Sequence, residues 1–204
     1  MHSAEIELKF PVSSLDALER RLAELGFHRD TPRTFEANTL YDTPDRQLRQ
    51  RGELLRLRQY GERWVVTHKR HPEDEDAASR YKVRIETETE VADGAAMAEI
   101  FFRLGFGPAF RYEKYRQEFS HPGQAQQGLL NGHVVIDETP IGVYAELEGP
   151  TRWIDQTLVA LAVSHANCLT ESYGRLFSAW KEKTGSPAEN LTFDEVRSAE
   201  LVAR

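Results

Sequence analysis

The segment Glu5-Ile6-Glu7-Leu8-Lys9 alternates strictly between charged and apolar side chains. In a β-strand, residues i, i+2 and i+4 share one face. Glu5, Glu7 and Lys9 therefore point one way, and Ile6, Leu8 and Phe10 the other. A single half-exposed edge strand would read the same, so the constraint lies in the repetition. In residues 53–60, Leu55 and Leu57 alternate with Arg56 and Arg58. In residues 63–69, Thr67 and Lys69 share a face opposite Val66 and His68. In residues 81–91, Lys82, Arg84, Glu86, Glu88 and Glu90 lie opposite Tyr81, Val83, Ile85, Thr87 and Thr89. Residues 142–149 alternate again, with Glu146 and Glu148 on one face.

Between these strands the helical signals are few. Ser13 or Ser14 caps a helix over 14–25, where Leu15, Leu18, Leu22 and Leu25 recur at helical spacing before Gly26 stops it. A strand over 33–42 ends in the turn Asp42-Thr43-Pro44-Asp45, and residues 48–52 read as a short helix or turn. Gly61-Glu62 closes a hairpin, and the acidic stretch 71–76 reads as a solvated loop. A helix over 94–104 ends at Gly105, and strands 110–119 and 133–139 flank a Gly/Gln-rich loop at 120–132. Beyond Pro150 the pattern turns helical, over 153–163, 170–183 and, more weakly, 192–202. The stripe Tyr173, Leu176, Phe177 and Trp180 reads as a helix packed on the strands.

The two halves echo each other. Ile6-Glu7 and Leu25-Gly26-Phe27 return as Ile85-Glu86 and Leu104-Gly105-Phe106, 79 residues later in both places. Carried onward, that offset sets Arg58 against Asp137, Thr67 against Glu146 and Lys69 against Glu148. Each half then reads as strand–helix–strand–strand–strand, with cations on the later strands of the first half and anions on those of the second.

About eight strands with one charged face, and few helices to cover their apolar faces, suit a closed antiparallel barrel with helices outside. The charged faces then line the lumen. Charges of both signs away from water need partners or ligands. The cations Lys9, Arg56, Arg58, Lys69, Arg84, Lys114 and Arg116 suit an extended polyanion. The carboxylates Glu5, Glu7, Glu86, Glu88, Asp137, Glu146 and Glu148 suit a hard divalent cation. Polyphosphate plus metal satisfies both signs, and no Gly-rich phosphate loop competes for that role.

Composition excludes other classes. A net charge of −7 argues against a general nucleic-acid binder. The single cysteine, Cys168, forms no internal disulfide and reads as a small buried residue in a helical context. No apolar run approaches the ~18 residues of a membrane span and no secretory leader is visible, so a cytoplasmic setting is expected.

In order along the chain, Glu5-x-Glu7-x-Lys9, Arg56-x-Arg58, Thr67-x-Lys69, Arg84-x-Glu86-x-Glu88, Lys114-x-Arg116, Asp137 and Glu146-x-Glu148 resemble the CYTH superfamily, also called triphosphate tunnel metalloenzymes. The resemblance covers about residues 3–150, and the helical end with Ser172-Tyr173 also looks family-like. It implies one domain over 1–204, with tunnel strands to about 150 and helices beyond: an α+β fold around a closed eight-stranded antiparallel barrel. It implies Mg²⁺ or Mn²⁺ as cofactor and a small-molecule triphosphate as substrate, in a monomer or homodimer.

By position, Lys9, Arg56, Arg58, Lys69, Arg84, Lys114 and Arg116 would grip phosphates. Glu5, Glu7, Glu86, Glu88, Asp137, Glu146 and Glu148 would be metal ligands, and Glu5, Glu7, Lys9 and Glu88 the catalytic set. The family includes inorganic, thiamine and RNA triphosphatases and class IV adenylyl cyclases, and the segment 38–44 resembles both cyclase-type and phosphatase-type members. Hydrolysis of triphosphates is the expected activity. Cyclisation of ATP and noncatalytic polyphosphate binding are the alternatives. Lys82 and Glu90 read as solvated charges at the rim, and His68 as a packed or surface residue. Tyr41, Tyr173, Trp64 and Trp153 read as packing residues.

Overall fold

The computed structural model describes residues 2–73, 79–122 and 132–202. Most of the 71–76 and 120–132 loops lies outside them. The eight strands are β1 (His2–Pro11), β2 (His28–Asp42), β3 (Leu54–Tyr60), β4 (Arg63–Arg70), β5 (Lys82–Val91), β6 (Gly107–Ser120), β7 (His133–Thr139) and β8 (Gly142–Glu148). They close into an antiparallel barrel in the order β1-β5-β4-β3-β2-β6-β7-β8. The helices are α1 (Leu15–Glu24), α2 (Gln47–Gln50), α3 (Gly94–Arg103), α4 (Thr151–Ala160), α5 (Tyr173–Thr184) and α6 (Phe193–Val202). Among the described residues no helix is long and apolar enough to cross a membrane.

The period-two pattern decides which way each strand faces, and the apolar core lies outside the barrel. Leu8 and Phe10 of β1, with Val134, Ile136, Ala145 and Leu147 of β7 and β8, pack beneath Leu22 of α1 and Trp153, Ile154 and Leu158 of α4. A second cluster seats Tyr173 and Phe177 of α5 and Val196 and Ala199 of α6 against Tyr112. A third seats Phe101 of α3 on Tyr41 and Leu57, with Trp64 alongside. Glu7, Lys9, Arg56, Lys114, Asp137 and Glu146 are as buried as the core, yet belong to none of these clusters.

The internal repeat is a property of the backbone. Helices α1 and α3 start and end 79 residues apart, and each is capped by a side chain accepting from a backbone N–H, Ser14 in one and Asp93 in the other. Each is followed by a glycine at positive φ, Gly26 at 84° and Gly105 at 91°, a conformation that costs a side-chain-bearing residue. Between β1 and β5, Glu5 faces Arg84, with Glu7↔Lys82 and Ser3↔Glu86 to either side. Those two flanking pairs exchange under the 79-residue offset. The pairs Thr67↔Glu88 and Lys9↔Glu146 exchange the same way. The register breaks in β2 slip the equivalence there by one residue, so Glu36, which pairs with Lys114, is also its counterpart.

Cys168 departs from the sequence reading. It follows a single 3₁₀ turn, His165–Asn167, in extended conformation and is partly exposed, with its thiol 3.5 Å from the Ser164 carbonyl. The apolar spacing around it reflects contact with the first core cluster rather than a helix.

Gly94 opens α3 against the ring of Trp64, and a Cβ there would stand 2.1 Å from Trp64 Cδ2. Alanine ordinarily stabilises a helix relative to glycine by about 1 kcal/mol. Here overpacking reverses the sign, and Gly94→Ala is expected to destabilise by about 1–3 kcal/mol. A denaturant midpoint at or above wild type would contradict this packing.

Candidate functional site

The barrel encloses a cavity of about 330 Å³, lined by seven carboxylates and seven cationic side chains among its walls. Near-equality of sign makes such a lumen tolerable, because each buried charge has an opposite charge within reach. One wall is cationic. Arg116 makes two bonds of 2.7 Å to Asp137 and another of 2.7 Å to Glu146. Lys114 donates to Asp137 at 2.9 Å and lies 3.4 Å from Glu36. Lys9 donates to Glu146. Burial opposes the charge on Lys9, but Glu146, Glu7 and Asp137 outweigh it and hold the ammonium above the ordinary lysine range. Burial likewise works against the Glu146 carboxylate, and Lys9, Arg116 and Lys114 hold it well below the usual range.

Glu36 is wholly buried behind this wall. Burial raises its pKa, but Lys114, Arg116, Arg58 and Arg56 bring it down to about 2. It is a fixed counter-ion that keeps four cations together. The Nε atoms of Arg56 and Arg58 are buried without a hydrogen-bond partner among the described residues. Unsatisfied guanidinium donors beside a cavity suit an anionic ligand.

Beside Lys9 and Glu146, the next inward-facing pair along β1 and β8 is acidic. Glu5, Glu7 and Glu148 each present a carboxylate oxygen, all within 4.8 Å of one another. Burial pushes the Glu148 carboxyl up to about 8, Glu5, Glu146 and Glu7 add to the shift, and Arg116 opposes it. Three such oxygens fit a hard divalent cation, and one bound there would displace the proton from Glu148. Without it, the folded chain holds a proton that the unfolded chain releases near pH 4.5, so Glu148 contributes stability that is lost as pH rises toward 8. Lys69 donates to Glu5 at 2.8 Å and pairs with Glu86, and Lys82 donates to Glu7. Burial works against ionised Glu5, but its hydrogen bond with Glu86 and the Lys69 charge bring it down to about 2. Burial and that same hydrogen bond push Glu86 up to about 7.

Most residues singled out in the sequence line this one cavity: Glu5, Glu7, Lys9, Arg56, Arg58, Lys69, Glu86, Glu88, Lys114, Arg116, Glu146 and Glu148. They do not gather as one metal set. Asp137 lies apart from the three-carboxylate cluster and accepts from Lys114, Arg116 and Tyr173. Glu146 is engaged by Lys9 and Arg116, and Glu88 by Arg58 and Thr67. Arg84 is not on the cavity wall; its guanidinium lies 3.0 Å from His71 Nδ1.

Two residues expected elsewhere enter the site. Lys82 lines the cavity instead of the rim, because the barrel's stagger sets it opposite Glu7. Tyr173 donates to Asp137 at 2.8 Å, and its ring lies 4.4 Å below the Lys9 ammonium. The sequence reading gives Glu36 no role and Asn38 only a place in the 38–44 segment, since the face that β2 turns inward depends on register breaks the sequence does not mark. Their two-residue spacing was the available signal.

The CYTH domain family model matches residues 3–156. A candidate adenylate cyclase of Methanocaldococcus jannaschii is 25% identical over 179 residues, which cover 83% of this chain and 95% of that protein. A candidate adenylate cyclase structure from Vibrio parahaemolyticus superimposes with a TM-score of 0.69 at 21% identity, covering 85% of this chain and 97% of its own. A Hippeastrum protein, described as a candidate adenylyl cyclase with a dominant triphosphatase activity, superimposes at 0.58 with 17% identity, covering 88% and 96%.

If Glu148 is a metal ligand, an entering ion would displace its proton, and Mn²⁺ affinity is then expected to strengthen between about pH 6.5 and 8, by up to about tenfold per unit, with proton release. Calorimetry in two buffers of different ionisation enthalpy measures both. Glu148→Gln should flatten the pH dependence, and a wild-type affinity independent of pH would refute this role for Glu148.

Proposed function

The chain belongs to the CYTH domain family, and on that premise we propose that it is a divalent-metal-dependent hydrolase of triphosphate compounds. One observation carries this reading. A single cavity brings Lys9, Arg56, Arg58, Lys114 and Arg116 together with the Glu5, Glu7 and Glu148 cluster. A simple anion-binding site has no use for three clustered carboxylates. A simple cation site has no use for the guanidinium groups of Arg56, Arg58 and Arg116 on its walls. A metal-bound triphosphate uses both.

Glu5, Glu7 and Glu148 would hold the metal, which when bound offsets phosphate charge and orients the chain. Lys9, Arg58, Lys114 and Arg116 already have carboxylate partners, so they are held in place before substrate arrives. That preorganisation favours charge developing on phosphate oxygens in the transition state. Arg56 is held by hydrogen bonds to Thr67 at 3.1 Å and the Tyr112 hydroxyl at 3.2 Å, with Glu88 3.8 Å away as its nearest carboxylate. Glu88, the most open of these carboxylates with a side chain 41% exposed, is the residue we assign to the attacking water. The water gives a proton to Glu88 as its oxygen bonds to the terminal phosphorus and the phosphoanhydride bond breaks, with the diphosphate portion leaving and orthophosphate released.

A second reading is cyclisation of ATP, in which the ribose 3′-hydroxyl attacks the α-phosphorus and pyrophosphate leaves. Leu40, Leu54 and Phe110 line one part of the same cavity and would suit an organic group on the triphosphate. The M. jannaschii relative's name points the same way. The charged walls serve either reaction.

Chromatographic product analysis with Mn²⁺ decides between them. Orthophosphate from tripolyphosphate or ATP is the expected result, cyclic AMP with pyrophosphate would establish the cyclase, and binding without turnover would refute both. Lys9→Ala and Arg58→Ala are each expected to lower kcat/KM by at least about tenfold through loss of a charge-assisted contact.

A further inference from the structure

We infer that Lys82 is a tethered cation that occupies the Glu5–Glu7–Glu148 cluster in the metal-free protein and passes to the triphosphate when metal enters. This rests on reading that cluster as the metal position and that cavity as the triphosphate site. Lys82 stands directly opposite Glu7 across β1 and β5, and its ammonium donates to a Glu7 carboxylate oxygen. Its side chain is 18% exposed and that of Glu7 is 8%. A charge pair this sheltered is screened far less than a surface pair.

Lys69 also neutralises the cluster through Glu5, but it has Glu86 as a second carboxylate partner. Among the described residues Lys82 pairs with no carboxylate but Glu7. If a divalent cation takes Glu7, Lys69 keeps Glu86 while Lys82 is left with an uncompensated charge on the cavity wall. A phosphate oxygen of the substrate is the counter-charge that then becomes available. Metal alone must expel an ammonium that has nowhere to go; metal with triphosphate supplies its next partner.

The repeat sharpens the contrast. The counterpart of the Glu7↔Lys82 pair is Glu86↔Ser3, with no lysine in the equivalent place. There the carboxylate, Glu86, takes its cation from β4 as Lys69, so the barrel closes at the equivalent place without a lysine directly opposite on the β1–β5 ladder.

The test is Mn²⁺ titration calorimetry on the wild type, Lys82→Gln and Lys82→Arg, with KM for tripolyphosphate at saturating Mn²⁺. Removing the competing charge is expected to tighten Mn²⁺ binding by about tenfold in Lys82→Gln. The same variant should raise KM by about tenfold through loss of a phosphate contact, and Lys82→Arg should stay near wild type in both. A purely structural lysine would weaken metal binding, not tighten it. Lys82→Met carries the same expectation if the Gln variant fails to give a cooperative melt. Unchanged or weaker Mn²⁺ binding, with wild-type turnover intact, overturns this inference alone. Tighter Mn²⁺ binding with unchanged KM overturns the transfer to substrate. No Mn²⁺ binding by any of the proteins overturns the metal position as well.

Discussion

Charge compensation inside a closed barrel is the condition on which the rest of this structure depends. An ionised side chain moved out of water costs several kcal/mol unless it is paired and hydrogen-bonded. The lumen meets that condition with seven cationic side chains and seven carboxyl groups on its walls, Glu148 holding a proton up to about pH 8, and with Glu36 and Asp137 buried behind the cations. The apolar core is consequently displaced to the outside, in three clusters beneath the helices. The helices are therefore integral: without them the outward faces of the strands would be wet.

The same pairing explains why a neutral-looking tunnel suits a polyanion only together with a metal. Lys9, Arg58, Lys114 and Arg116 already share a carboxylate, as Lys9 does with Glu146 and Lys114 with Asp137. A triphosphate alone would add negative charge to a balanced lumen. On the proposed function, a divalent ion at Glu5, Glu7 and Glu148 would restore the balance, and metal and substrate would be linked through the charge of the whole cavity.

The internal repeat shows how one backbone acquired a polar axis. Under the 79-residue offset, Glu5, Glu7 and Glu148 correspond to Arg84, Glu86 and Lys69. The first set is a cluster of carboxylates; in its counterpart Lys69 and Glu86 neutralise each other. Among the described residues, only the first has the oxygens close enough to hold a metal. The two halves share a fold and differ in sign.

Alternation was enough to identify the strands and their inward faces, because period two leaves no choice once Leu8, Leu57 and Leu147 must be buried. It placed Glu5, Glu7, Lys9, Arg58, Lys69 and Glu146 in the lumen from their spacing alone. It also exposed the repeat, since Gly26 and Gly105 occupy positive-φ positions that a side-chain-bearing residue fills at a cost. Partnership was not legible. Whether Asp137 meets the acidic cluster or Arg116, and whether Lys82 reaches solvent or Glu7, depends on barrel stagger and on the register breaks in β2. Tyr173 read as packing because nothing in its helical spacing shows that the α5 N-terminus reaches Asp137. The sequence by itself determined which residues face inward, through a local period of two. Tertiary structure decided which of them touch, because pairing across a closed barrel is set by stagger between strands far apart in the chain.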